Sequence, residues 1–370
     1  MSLLDFIYYA FISVVCIQVI IYFFLFGKFS FSKQKTQSVK KIPVSVIICA
    51  KNEAENLKKF LPFIINQDYS NFEIVLINDA STDNTLEVMK TFKKQSNNIK
   101  IVDVKNVEAF WGNKKYALTL GIKASTNEFL LFTDADCKPL SKYWISEMAS
   151  HFNNNKSIIL GYGAYSKIKK SLLNKLVRFE TLVTAIQYFS FAKLGIAYMG
   201  VGRNLAYTKK EFFKANGFIN HIQIKSGDDD LFVNQIATKN NTATCYSEPS
   251  ITISNPKTTL KDWYKQKRRH ISTANHYKLK HKVLLTLIYC TQFLFWLLAF
   301  ILISTLYNWQ IVLTLFILKI IMQYVVYGLS AKKLNEKDVL WLLPFLEVFL
   351  IITQLTIFIN NLISKPNHWK

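Results

Sequence analysis

The sequence predicts an α/β domain set between apolar helices, and three observations carry that prediction. Short β-branched or aromatic runs alternate with helical patterns through the middle of the chain, acidic residues stand at the ends of two of those runs, and long uncharged stretches occupy both flanks. The 370 residues leave room for one large water-facing domain and several membrane spans. Hydrophobic residues make up 51% of the chain and the mean hydropathy is +0.15, with the apolar excess gathered at the two ends.

Residues 1–27 form the first unit. No charge appears from Phe6 to Phe26, a stretch long enough to cross a hydrocarbon core of about 30 Å as a helix. Asp5 precedes it and Gly27-Lys28 follows, where a cleaved leader would carry a basic start and a small-residue cleavage site, so it reads as an uncleaved anchor. Residues 28–42 read as a linker and 43–282 as one domain. Within it, Val44 to Ala50, Phe72 to Asn78, Ile99 to Val104 and Phe129 to Thr133 suit buried strands. Helical patterns cover Ala54 to Asn66, Leu86 to Phe92 behind an Asp83-Asn84-Thr85 cap, Trp111 to Ala124 and Lys142 to Phe152. This βαβα order implies right-handed crossovers and a ligand site beyond the carboxyl ends of the strands, where Asp79 and Asp134-Ala135-Asp136 stand. Between residues 171 and 199, Leu172, Leu176, Phe179, Val183 and Ile186 mark a stripe that fits either a core helix or an amphipathic helix at the bilayer surface.

Residues 283–363 read as three further spans. Val283 to Leu318 carries no charge and divides at Tyr307-Asn308-Trp309, and a last span runs from about Val339 to Ile363, before a tail at 364–370. The Lys-rich segments fall on one side, which the positive-inside rule makes cytoplasmic, so both termini are expected outside an inner membrane with the domain in the cytosol. Lys319 and Glu347 interrupt the last two spans at depths less than a helical turn apart, so they are expected to pair.

The formal charge of +22 is largely local: Lys257 to Lys282 holds nine Lys or Arg against Asp262, beside a span, where basic clusters meet anionic headgroups. No nucleic-acid-binding module accompanies it, so membrane lipids, and not nucleic acid, are the expected partners. Cys16, Cys49, Cys137, Cys245 and Cys290 form no C-x-x-C pair, which argues for reduced thiols.

The polar motifs suit chemistry at a diphosphate. Asp134-x-Asp136 presents two carboxylates at a strand end, as a hard divalent cation requires. Gln266 and Arg269 offer an amide and a planar guanidinium able to clamp phosphate oxygens. In Asp228-Asp229-Asp230, like charges resist simultaneous ionisation, which raises a carboxyl towards the pKa of a general base.

The run Val44 to Glu53, the Asp79 turn, Gly112 to Leu118, Asp134 to Asp136, the Asp228 cluster and Gln266 to Arg269 together resemble inverting family 2 glycosyltransferases of the GT-A fold. The anchor, domain and trailing spans are similar to those of ceramide glucosyltransferases and processive polysaccharide synthases. One departure is His270, which stands where the family's Q-x-x-R-W motif has Trp. The resemblance implies a nucleotide-sugar donor, a divalent cation (Mg2+ or Mn2+), and a lipid or glycan acceptor. It places Asp136 on the metal, Asp134 by the ribose and metal waters, and Asp79 on the base or ribose. Asn52, Glu53 and Lys114 then border the donor, Gln266 and Arg269 meet the diphosphate, and Gly202, Arg203 and Asn204 belong to an acceptor loop. The base is Asp229 if the motif is aligned from Gly227 and Asp228 if aligned from Leu231; Asp229 is preferred. Single transfer to a lipid is the expected activity, against processive synthesis or a non-catalytic scaffold.

Overall fold

The computed structural model describes residues 2–34, 37–38, 40–105, 114–224 and 226–364. The expected helix start at Trp111, the Gly112-Asn113 pair and the tail beyond Ser364 lie outside these residues.

Helix α1 (Leu3–Ser30) opens on a reciprocal cap, Asp5 N donating to Ser2 Oγ at 3.1 Å and Ser2 N to Asp5 Oδ2 at 2.7 Å. The alternating segment follows as β1 (Val44–Ala50), α2 (Ala54–Ile65), β2 (Phe72–Asp79), α3 (Thr85–Gln95), β3 (Ile99–Val104), α4 (Lys114–Ala124) and β4 (Phe129–Phe132), close to the sequence pattern with only the ends shifted. Then come β5 (Cys137–Pro139), α5 (Trp144–Ser150), β6 (Ile158–Leu160), β7 (Gly163–Tyr165) and α6 (Leu172–Lys193). They are followed by β8 (Leu205–Thr208), α7 (Lys209–Lys214), α8 (Asp230–Ile236), β9 (Thr242–Thr244) and β10 (Thr252–Ser254). Helices α9 (Leu260–Ser272), α10 (Leu279–Ser304), α11 (Trp309–Lys333) and α12 (Leu343–Ile363) complete the chain.

The main sheet has seven strands in the order β3-β2-β1-β4-β8-β6-β9. Strands β3, β2, β1 and β4 are parallel, and β8 runs antiparallel to both its neighbours. Strand β1 is paired on both edges, Ile47 sitting opposite Val75 and Phe132, which is why its sequence is an unbroken apolar run. The chain order reverses between β1 and β4, and this opens a crevice beyond their carboxyl ends. One face of the sheet, with Val46, Ile48, Ile74 and Leu76, packs with Leu57, Leu61, Met89 and Trp144 of α2, α3 and α5. The other, with Ile47, Val75 and Ile77, packs into a core shared with α4, α6 and α1. Helix α4 lies so close that a Cβ at Gly121 would meet Ile77 Cδ1 at 2.1 Å. A second, small sheet joins β5, β10 and β7.

Of the two readings open for residues 171–199, α6 takes that of a core helix. It is buried round most of its circumference, Arg178, Tyr188 and Ser190 included, and apolar helices cover its outward side. Phe189 stacks on Phe29 of α1 at 5.0 Å, and Phe179 meets Tyr327 of α11 at 6.3 Å. Arg178 forms ion pairs with Glu336 and Asp338 in the turn before α12.

Four helices, Leu3–Ser30, Leu279–Ser304, Trp309–Lys333 and Lys337–Ile363, are long and apolar enough to cross a membrane, which marks a membrane-anchored protein. Helices α10 and α11 are joined by a tight turn in which Leu306 and Asn308 adopt the left-handed conformation, and Tyr307 Oη donates to Asp5 at the start of α1. Lys319 and Glu347 do pair, at 3.1 Å and almost fully enclosed, with Gln323 Nε2 donating to Glu347 Oε1 at 2.8 Å and Trp296 Nε1 to Oε2 at 3.0 Å. At the other end of α11, Lys333 Nζ donates to the carbonyls of Phe29, Ser30 and Ser32 at the end of α1. The carboxyl end of α12 lies against α9: Arg268 Nε donates to Asn361 Oδ1 at 2.9 Å, and Asn360 Nδ2 to Tyr264 Oη at 2.6 Å.

Candidate active site

Beyond the carboxyl ends of β1, β2 and β4 opens a cavity of about 1060 Å³. Its walls include Glu53, Asp79, Lys114, Asp134 and Asp136 from the parallel half of the sheet, Gly202, Arg203 and Asp228 to Asp230 from the antiparallel half, and Gln266 and Arg269 from α9. The fold thus gathers most of the residues that the sequence singled out into one space.

Asp79 ends β2, directly before Ala80, whose φ of 47° turns the chain sharply. Burial raises the Asp79 carboxyl above the usual range, with Lys51 and Lys114 opposing. Lys114 opens the described part of α4 and lies 3.0 Å from Asp134 and 3.1 Å from Asp228. Burial works against its charge, yet the two carboxylates outweigh it and hold the ammonium well above its ordinary pKa. One lysine therefore joins the strand-end motif to the aspartate cluster across 94 positions of sequence.

The three clustered aspartates have separate surroundings. Asp228 pairs with Lys114. Asp230 is locked by Tyr277 Oη at 2.6 Å and the Thr273 hydroxyl, and its own Oδ1 accepts from Leu231 N at 2.7 Å. Asp229 faces the cavity, accepting from Gly202 N at 2.6 Å and Asp230 N at 2.7 Å. Withdrawal from water, then the charges of Asp228 and Asp230, push its carboxyl up to about 7. Gly227 makes this turn possible: its φ is +90°, and a Cβ there would meet Leu231 Cδ1 at 2.5 Å.

Asp134, Asp136 and Cys137 bring one donor atom each within 4.8 Å of one another. Burial and the neighbouring charges of Asp134 and Glu53 hold the Asp136 carboxyl above its ordinary range, a deficit of positive charge that a cation would relieve. Burial holds the Cys137 thiol well above its ordinary pKa, leaving a hard oxygen donor set. Such a set fits Mg2+ or Mn2+ better than a thiophilic ion.

Arg203 lies over the Tyr165 ring, its Cζ 4.1 Å from the centroid, and its Nη1 donates to Ser254 Oγ at 2.7 Å. Gln266 Nε2 reaches Tyr165 Oη at 3.5 Å. Burial lowers the Arg269 pKa while Asp228 and Asp134 oppose.

Two of the expected site residues do not border the cavity. Asn204 is fully enclosed, receiving Trp144 Nε1 at 3.0 Å and donating to Tyr162 O and Ser250 O at 2.9 and 2.7 Å, so its amide holds the loop. Asn52 is not among the residues lining the cavity either: at φ 56° its Oδ1 accepts from Thr82 N at 2.8 Å, bracing the loop after β2. Sequence reasoning also missed a wall of the cavity. Glu180, Thr184 and Gln187 of α6 line it, Glu180 paired with Lys267. Their i, i+4, i+7 spacing along one face of the helix was the available signal.

Strand-end carboxylates thus wall a cavity at the point where the strand order reverses, where sheets of this topology bind ligands. The family model for glycosyl transferase family 2 matches residues 45–214, within a domain of GT-A-like fold. It is similar to an uncharacterized glycosyltransferase of Haemophilus influenzae, 34% identical over 127 residues that make up 34% of this chain and 37% of that protein. A poly-β-1,6-N-acetyl-D-glucosamine synthase of Staphylococcus epidermidis is 36% identical over 121 residues, 32% of this chain and 28% of the synthase. A cholesterol galactosyltransferase of Borreliella burgdorferi is 34% identical over 98 residues, 26% of each chain. The matches thus span well under half of these curated relatives. Among solved structures, a mannosyltransferase of Pyrobaculum calidifontis in complex with GDP-Man and Mn2+ superposes with a TM-score of 0.59 at 16% identity, over 90% of this chain and 99% of that one, and this likeness speaks to the fold.

Proposed function

We propose that the protein is a metal-dependent inverting glycosyltransferase that moves one sugar from a nucleotide diphosphate to a lipid acceptor, working from the cytoplasmic side of the membrane. The observation that carries this reading is the continuity of the cavity: it runs from the strand-end carboxylates past Asp229 to Leu285 of α10 and Gln354 of α12, so that a membrane-held hydroxyl can reach the donor.

In this reading Asp79 and Glu53 bind the nucleoside, and Asp134 and Asp136 would hold a divalent cation, which would supply positive charge for the departing diphosphate. Arg269 and Gln266 hold diphosphate oxygens with directed hydrogen bonds. Lys114 holds Asp134 and Asp228 in place through its two ion pairs. Asp229 accepts the proton of the acceptor hydroxyl as its oxygen bonds to the anomeric carbon, and the bond from that carbon to the diphosphate breaks on the opposite face, inverting the centre. Gly202 N and Asp230 N fix the orientation of the base. Arg203 on Tyr165 borders the path of the acceptor.

The test is purified protein in native lipid extract with Mn2+ or Mg2+ and a panel of labelled nucleotide sugars, run beside Asp229→Asn. Label entering the lipid phase with the parent protein alone supports the reading and names the donor. Label in a polymer, or no turnover across the panel, sinks it.

A further inference from the structure

Both ends of the last apolar helix are tied to the catalytic domain. On the entering side Glu336 and Asp338 hold Arg178 of α6, and Lys167 lies 2.9 Å from Asp338. On the leaving side Arg268 of α9 donates to Asn361 Oδ1 at 2.9 Å and to Ser364 O at 2.6 Å, while Asn361 Nδ2 donates back to Arg268 O at 3.1 Å. Helices α6 and α9 are themselves joined by the Glu180–Lys267 ion pair. A 21-residue helix is about 31 Å long, so a membrane crossing would carry its far end about the full hydrocarbon thickness away from the domain that holds its start. It does not do so.

Between its ends the segment dips. Leu340 comes beside Gly328 of α11, Glu347 meets Lys319 and Trp296, and Tyr289 Oη of α10 donates to Ile351 O at 3.1 Å before the helix rises to α9. The 3-10 turn Lys337–Leu342 ends where α12 begins, with Leu342 at φ −107° and ψ 18°, and Pro344 in the first turn of α12 supplies no donor that would continue the turn into the helix.

We infer that residues 337–363 do not cross the membrane but enter and leave it on the catalytic side, and that α12 is the lipid-facing wall of the cavity. Phe345, Ile352, Phe358 and Leu362 are more than half exposed on the outward side, while Leu346, Leu350 and Ile357 are buried. The outward stripe continues the exposed apolar surface of α10, with Val283 and Leu287, so its occupant is the hydrocarbon of the bilayer. Gln354 reaches inward to the cavity. Ser364 then lies on the side of the catalytic domain, opposite to Leu3 at the start of α1, where the positive-inside count had placed both ends of the apolar helices together. The role as a wall rests on the lipid-acceptor reading; the topology does not.

The test uses the full chain in native membranes with a membrane-impermeant maleimide, scored as label above that of the unsubstituted protein. Ser364→Cys is compared with Lys59→Cys, on the exposed side of α2, and with Asn308→Cys, in the α10–α11 turn. Ser364→Cys labelling from the same side as Lys59→Cys is the expected result, and labelling from the side of Asn308→Cys overturns the inference. For the wall, Asn361→Leu removes the bonds to Arg268 and raises KM for the lipid acceptor about five- to tenfold, with KM for the nucleotide sugar unchanged. Unchanged acceptor KM, or an equal rise in both, overturns the role of α12 as a wall. Labelling reports topology whether or not any lipid is glycosylated, so the two failures are distinguishable.

Discussion

Among single residues, Asp229 carries the sharpest consequences. Replacing it with Asn removes the proton acceptor and spares the shape, so kcat falls by about 10² to 10⁴ while nucleotide binding, read by calorimetry, stays in place. With its carboxyl pushed up to about 7, the base is protonated and idle in acid. The rate in the parent enzyme is expected to rise about tenfold per pH unit well below that value and to level off above it. A profile flat from pH 5 to 9 would remove Asp229 from this role. Asp79, Asp134 and Asp136 were legible as cavity-lining residues because they stand at or beside the ends of strands, and the aspartate cluster because three acids in a row stand out in the sequence. What could not be read was the direction of a side chain within a turn. Arg203 and Asn204 are adjacent in one loop, yet Arg203 borders the cavity and Asn204 is sealed beneath it. Nor does spacing reveal that Lys114 separates the roles of Asp228 and Asp229, because that contact forms only when the fold brings α4 to the cluster.

Elements are held to one another by buried charge. Arg178 and Glu336 are each 2% exposed, so Arg178→Ala would leave a carboxylate enclosed without its partner. The expected loss is about 3–5 kcal/mol, visible as a lowered melting temperature in detergent. Among the apolar helices, Lys319→Met alone is expected to destabilise more than Lys319→Met combined with Glu347→Gln, because the double variant leaves no isolated charge. Thermal denaturation of the single and double variants decides it; equal losses would show that the pair contributes little. This contact was visible in the sequence because two ionisable residues stood out in apolar runs at matching depth. The Arg178 contact was not, since 158 positions separate Arg178 from Glu336 and nothing in either segment names the other. Periodicity found α6 but left its environment open: an apolar stripe is the same whether lipid or protein covers it.

At the scale of the molecule, the four apolar helices and the net charge of +22 make different predictions about attachment. Ionic contacts with headgroups are screened within about 3 Å at 1 M salt, whereas apolar burial persists. The protein is therefore expected to remain in the membrane pellet after a 1 M salt wash; release into the supernatant would assign the attachment to charge. Order and number of the apolar helices were legible from hydropathy, which counts length and composition. Their path was not, because hydropathy is indifferent to whether a helix leaves on the side it entered. The seat of Lys333 on the last carbonyls of α1 also bears on how the chain is made. Domains emerge from the ribosome amino end first, so α1 is inserted, and the catalytic sheet completed, long before α11 exists to close over Phe29 and the outward side of α6. During that interval an aromatic surface stands without its cover, and the last quarter of the chain acts as the step of biogenesis that seals it.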